Sequence, residues 1–505
     1  MRSRRLWFAG FVVLALAAIY GAAGLRHPAP AAGFATGKAS RASVTSAIRA
    51  CAAPGSAGVT SGSLATAAVP AAAPAGSAVV TRLVPGGSPT LGQVVATITR
   101  PDLLQFTAVK TAPPLPKALQ AGQPGSSPKV RTNAARGGVQ VSATGAMAQG
   151  LAVEQTGPGG RVTAQCGSPG TSFWFVGPGQ TSAADINLYL MNTDSQAADV
   201  QVTAVTDVTK GGPILGNADN GITVPPHSMV VQSLGGLLQS SKIIALNVST
   251  SVGRVVAAVR ETRKGTEAGG WLPAAQPPAR TSVIPGLPRA SGTRVLYIAV
   301  PGGATANVKV TAVTARGSYQ PTGGTGIELL GGSAVEIPLP ALGGVAGAIK
   351  INSSVPVVAS MLVAGGPPGT PGAIAATAGP VQEQGVLAAS PVGSAGSTQL
   401  VLSAPRHPGS VRIVVATTSV PATGQTGTVV QIGAGKTVIL PVKAPSGHRV
   451  SEVMIVVTPL AGSGPIYAGR VISLHGVVQS IMPVPSSLTW IPEPAAHSSL
   501  SAIVP

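Results

Sequence analysis

The nine residues ADVQVTAVT at Ala198–Thr206 return as ANVKVTAVT at Ala306–Thr314, 108 residues further on (306 − 198). In the first copy Val200, Val202 and Ala204 alternate with Gln201 and Thr203; in the second Val308, Val310 and Ala312 alternate with Lys309 and Thr311. Successive side chains on a strand point to opposite faces, so this period of two reads as half-buried β-strands with the valines inward. The spacing exceeds the ~20–50 residues of solenoid and propeller repeats and matches the ~100 residues of a β-sandwich. The fold expected is all-β, with tandem antiparallel β-sandwich-like repeats.

At 505 residues the chain has room for three or four domains. Charged residues are only 9% and aromatics 3%, while 66 Gly and 46 Pro supply frequent turns, which suits short strands rather than helices held by ion pairs. The formal charge of +19 favours anionic partners. Nucleic acid is not expected among them, because the N-terminus marks the chain for export.

Arg2, Arg4 and Arg5 precede an uncharged run from Leu6 to Leu25, closed by Arg26 and His27. Twenty residues match a bilayer-spanning helix and exceed the ~7–15 of a cleavable signal core. The positive-inside rule then leaves the bulk of the chain outside. A single-pass membrane protein anchored by residues 1–27 is expected, or a secreted one if cleavage occurs near Ala29 and Ala31.

Residues 28–76, mostly Ala, Gly, Ser, Thr and Pro, read as a flexible spacer without the large apolar residues of a core. A small β region follows at 77–165, interrupted by the prolines of Thr111–Gly138. Cys51 and Cys166 are the two cysteines. Outside the membrane they permit one disulfide, which would tie the spacer to the first repeat; two free buried thiols are the other reading. The Phe173, Trp174 and Phe175 cluster reads as an anchor in a domain core rather than a ligand platform, and Trp271 as a residue docking two domains.

These segments resemble a family of exported or membrane-anchored actinobacterial proteins known only as a domain of unknown function. The resemblance rests on AMAQGLAVEQ at Ala146–Gln155, CGSPGTSFWFVG at Cys166–Gly177, NLYLMNTDSQAADVQVTAV at Asn187–Val205 and WLPAAQPPARTSVIPGLP at Trp271–Pro288. It implies a β-rich envelope protein and brings no catalytic residues with it.

The repeats continue beyond the opening strand. HSMVVQSL at His227–Leu234, GSAVEIPL at Gly332–Leu339 and GKTVILPV at Gly435–Val442 align on Val230, Val335 and Val438. Three repeats are thus expected at 166–272, 289–364 and 398–482, with a tail at 483–505. The Pro- and Gly-rich joints Pro273–Pro288 and Gly365–Ser397 read as exposed linkers, although Val381–Ala389 has room for one strand.

Several patterns imitate chemistry. IGAGKT at Ile432–Thr437 lacks the first glycine of a phosphate loop and continues as a strand, so it reads as a turn. SSPK at Ser126–Lys129 lies among prolines and glycines, without the helix start a nucleophilic serine would need. NADNG at Asn217–Gly221 lacks the downstream glutamate of a calcium loop. The six histidines stand singly, and Asp194, Asp199, Asp207 and Asp219 carry no spacing that pairs them. No catalytic, metal-binding or cofactor residues are therefore assigned.

The function expected is a non-enzymatic, membrane-tethered envelope scaffold. A module binding anionic wall polymers, lipid headgroups or another envelope protein is the first alternative, and an envelope hydrolase the second.

Overall fold

In the computed structural model the residues described are 41–52, 61–68, 75–83, 94–98, 105–110, 138–156, 163–181, 185–207, 212–215, 221–262, 269–289, 292–339, 344, 346–364, 372–417, 422 and 425–492. The apolar run Leu6–Leu25, the SSPK segment and most of NADNG lie outside them. Among the described residues no helix is long and apolar enough to cross a membrane.

The chain forms two compact units. In one, comprising 1–42 and 490–505, β1 (Arg41–Ser43) and β35 (Trp490–Pro492) form a two-stranded sheet. The other, 43–489, is built from antiparallel sheets that fall into four modules with one topology.

Module I contains β2 (Ser46–Cys51), β3 (Ser61–Ala67), β4 (Ala78–Arg82), β5 (Val94–Ile98), β6 (Gln105–Lys110), β7 (Val139–Thr144), β8 (Ala152–Thr156) and β9 (Thr163–Gln165). Its sheets run β2-β7-β4-β5 and β6-β3-β8-β9. Module II contains β10 (Ser172–Pro178), β11 (Asp185–Asn192), β12 (Ala198–Thr206), β13 (Gly212–Leu215), β14 (Ile222–Val224), β15 (Ser228–Ser233), β16 (Ile243–Val252), β17 (Val256–Thr262) and β18 (Gly269–Leu272). The order is repeated as β10-β16-β12 with β13 and β14 at the edge, and β15-β11-β17-β18.

Module III contains β19 (Ala279–Leu287), β20 (Arg294–Ala299), β21 (Ala306–Thr314), β22 (Gly317–Tyr319), β23 (Ile327–Leu329), β24 (Ala334–Leu339), β25 (Gly347–Val363) and β26 (Ala373–Ala376). Here the 17-residue β25 serves both sheets, its first part pairing with β19 and β21 and its second with β20 and β26. Module IV contains β27 (Gly385–Pro391), β28 (Ser397–Ala404), β29 (Gly409–Ala416), β30 (Thr428–Ile432), β31 (Lys436–Pro441), β32 (Glu452–Pro459), β33 (Tyr467–Leu474) and β34 (Val477–Pro483), ordered β27-β32-β29-β30 and β31-β28-β33-β34.

The registers make the repeat exact to the residue in modules II to IV. Val230, Val335 and Val438 lie opposite Leu190, Ile298 and Leu402. Those three lie in turn opposite Ala257, Ala359 and Ala468. Inward residues of both sheets meet in each core: Val200, Val202 and Ala204 pack with Leu188 and Leu190, and Val308, Val310 and Ala312 with Leu296 and Ile298. Gln201 and Thr203 are only partly buried and Lys309 is exposed, as the alternation requires.

Three readings are corrected. Residues 28–76 are not simply a spacer, since they hold β2 and β3 of module I; small residues suffice because Ala67 and Ala68 are fully buried beneath neighbouring strands. The joints are not exposed linkers, since β19 and β27 are the first strands of the modules that follow and are buried along most of their length. β19 accommodates Pro285 and Gly286 through a register shift between Ile284 and Leu287, where proline's missing N–H breaks no ladder bond. Nor are the modules separate bodies. Val401, Val471 and Ile481 of module IV join the core of module III.

Contacts between modules close a cycle. Ala50, Ala52 and Leu83 of module I pack on Met191, Met229 and Val256 of module II. Val176 and Ala245 of module II meet Tyr297 and Val358 of module III. Modules III and IV share the core just described, and Val386, Ala388 and Met454 of module IV return to Ala67 and Ala152 of module I.

Candidate functional site

Where the four modules converge there is a cavity of about 220 Å³. The last strand of every module contributes to its wall: Thr163–Gln165 from β9, Gly270–Leu272 from β18, Ala373 and Ile374 from β26, and Gln479–Pro483 from β34. One topological position, used four times, therefore builds one site.

The strand SFWFVGP explains its aromatic side. Alternation sends Phe173 and Phe175 to the face that lines the cavity, whereas Trp174 packs on the opposite face against the cluster containing Tyr297 and Ala299. Phe175 is also a core residue of module II, so its anchoring role and its place in the wall coincide. Trp271 lines the cavity and packs beside Ala50 and Leu83, at the junction of modules I and II rather than at the joint between modules II and III where the sequence placed it. Its ring centroid is 5.2 Å from that of Tyr189, and the Arg260 guanidinium sits 5.9 Å from it. Arg260 and Trp271 are direct cross-strand partners, which places cation and ring on one face.

Cys51 and Cys166 form a disulfide in the same wall, with Cα atoms 4.7 Å apart. Backbone hydrogen bonds between Ala50 and Gly167, in both directions at 2.9 and 3.1 Å, hold the two cysteine segments side by side. Polar residues line the cavity from three modules: Gln155, Thr163 and Gln165 from the first, Glu261 from the second, and Gln479 and Ser480 from the fourth. Gln155 is 3% exposed and its Oε1 has no hydrogen-bond partner among the described residues. Apolar walls with a few convergent polar groups have the character of a small-molecule site.

The other candidates are structural. Asp194 is bound by Arg254 at 2.7 Å, Asp199 accepts from Thr223 Oγ1 at 3.0 Å, and Asp207 accepts from the Lys242 N–H at 2.9 Å. In IGAGKT, Gly435 adopts a positive φ of 67° and its N–H is bound by the Ala404 carbonyl, so the segment is a turn that carries the chain from β30 in one sheet to β31 in the other. No group of three or more metal-ligating side chains occurs among the described residues. Glu154 and Arg470 form an ion pair at 2.8 Å, but both are fully buried, so it is a structural contact. Sequence spacing carried no signal for that pair, whose members are 316 residues apart.

Residues 120–443 match a family of unknown function (DUF5719). The match spans more than half of the chain, which therefore belongs to that family. No curated protein matches it.

Proposed function

We propose that this member of the family is a non-enzymatic, membrane-tethered cell-envelope protein. Its tandem sandwich-like modules form an extracytoplasmic interaction scaffold behind one N-terminal helix at Leu6–Leu25. The observation that carries this reading is the cyclic closure of the modules, with a disulfide tying β2 of module I to the segment that enters module II. A disulfide across a 115-residue separation persists in an oxidising compartment, and a body closed at every module junction can hold a surface rigidly away from a membrane. Fractionation with external protease, combined with non-reducing peptide mapping, tests it. The expected result is an externally accessible, membrane-bound chain in which Cys51 and Cys166 are linked; a protected cytoplasmic chain with two free thiols would overturn it.

A second reading, binding of an anionic envelope polymer, is favoured by one cluster. Lys309 and Lys350 lie on adjacent strands of module III, offset diagonally, and Arg406 approaches from module IV. Burial, then the charges of Arg406 and Lys309, lower the Lys350 pKa, a repulsion that a bound polyanion would relieve. Sedimentation with polyphosphate at low salt, lost in Lys350→Gln, is the test; binding unchanged in that variant would remove this reading.

A further inference from the structure

We propose that the central cavity binds a single pyranose ring, free or at the end of a glycan. The inference is independent of where the protein resides. The volume sets the size. About 220 Å³ exceeds the ~150 Å³ cavity that admits benzene and falls short of the ~300–1,000 Å³ of sites for drug-sized ligands, so one substituted six-membered ring fits.

The lining sets the chemistry. Phe173 and Trp271 are half-buried and offer ring surfaces against which the C–H face of a sugar packs, with Trp271 held in place by Tyr189 and Arg260. The lining also includes Gln155, Gln165, Gln479, Ser480 and Glu261. Gln155 Oε1 is a buried acceptor without a partner among the described residues. A buried polar atom left unbonded is costly, and a ligand hydroxyl would remove that cost. A flat hydrocarbon leaves Gln155 Oε1 unpaired, and a polyanion would face Glu261. A polyhydroxylated ring with an apolar face matches both halves of the wall.

Gly270 gives a clean way to block the site. A Cβ at this position meets nothing within 4 Å and the backbone has no positive φ, so Gly270→Phe places a ring in open space beside the cavity. Gln165→Leu removes a half-buried amide while nearly preserving volume.

The experiment is saturation-transfer NMR on the full chain in detergent micelles. The probes are D-glucose, D-galactose, N-acetyl-D-glucosamine and lactose, with phenol as a flat aromatic control. Transfer to the ring protons of at least one sugar is expected, weakened at least ten-fold in Gly270→Phe and in Gln165→Leu, with melting temperatures unchanged. Transfer confined to the non-reducing ring of lactose would identify the end of a glycan as the ligand, and transfer from monosaccharides alone a free sugar. Binding of phenol without any sugar, no transfer to any sugar, or sugar binding unaffected by Gln165→Leu would overturn the proposal.

Discussion

Glu154 Oε2 accepts a hydrogen bond from Arg470 Nη1 at 2.8 Å, and both side chains also complete a break in a third strand. In β27 the register shifts between Leu387 and Ser390, taking Ala388 and Ala389 out of the ladder. The Ala388 N–H then donates to Glu154 Oε1 at 2.9 Å, and Arg470 donates to the Ala389 carbonyl. A buried backbone group must find a partner, so the ion pair from β8 and β33 serves as the missing ladder and locks module I to module IV.

This role changes the usual expectation for a buried pair. Removing one partner, as in Arg470→Met, should cost ~3–5 kcal/mol because a carboxylate is left buried and unpaired. Apolar replacement of both partners is often neutral, but in Glu154→Leu/Arg470→Met the backbone groups of Ala388 and Ala389 also lose their partners. The double variant should therefore remain ~1–3 kcal/mol less stable than the native chain by denaturant unfolding. Full recovery would show that the pair does not support the strand.

Glu452, opposite Pro391 on the neighbouring strand, has its pKa raised above the ordinary 4.5 by burial and then by the Glu154 charge, partly offset by Arg470. The folded state therefore holds this proton more tightly than the unfolded state. Its contribution to stability is full below the unfolded pKa and declines as pH rises through the folded one. Glu452→Gln should accordingly gain stability at pH 7 relative to the native chain and show a smaller gain at pH 4. Thermal unfolding at the two pH values checks the sign.

Reducing the Cys51–Cys166 bond opens a 115-residue connection whose closure is worth on the order of 2–5 kcal/mol. Cys51→Ser/Cys166→Ser should lower the melting temperature, and added reductant should lower that of the native chain but not of the variant. Equal melting curves for native and variant chains would show that the backbone bonds between Ala50 and Gly167 hold this junction alone.

Strand phase was legible because it is local. Val310 is fully buried and Lys309 exposed, so Val310→Asp should cost several kcal/mol, and Lys309→Gln should change stability by no more than ~0.5 kcal/mol. Unfolding of the two variants side by side checks this. The alignment of Val230, Val335 and Val438 was legible for the same reason, a strand pattern preserved over eight residues. Module I was legible in part: the β region expected at 77–165 holds β4 to β9, whereas β2 and β3 were missed because Ser61–Ala67 has one large apolar residue. The cavity was not read in advance: Phe173, Phe175 and Trp271 stood out by type but as anchoring and docking residues, while Gln155, Gln165 and the β34 residues gain meaning only when four distant strands converge.

The joint Pro273–Pro288 was misread because proline and glycine usually mark exposed turns, and the reason Gly286 is there is long-range. Gly286 has a φ of +82°, and Gly469 on β33 crosses it so closely that a Cβ on Gly469 would lie 2.3 Å from the Gly286 Cα. No side chain fits between these backbones, so β19 and β33 approach through two glycines at the junction of modules III and IV. Gly469→Ala isolates the packing effect, since Gly469 has no positive φ. It should cost ~1–3 kcal/mol and broaden the unfolding transition as the junction opens. Gly286→Ala adds backbone strain to the same clash and should cost more. Gly302→Ala, where a Cβ meets nothing within 4 Å, is the control and should leave the midpoint unchanged. If Gly469→Ala unfolds at the same midpoint and with the same steepness as that control, the junction is looser than these two glycines require, and the rigid closure proposed for the scaffold fails at this point.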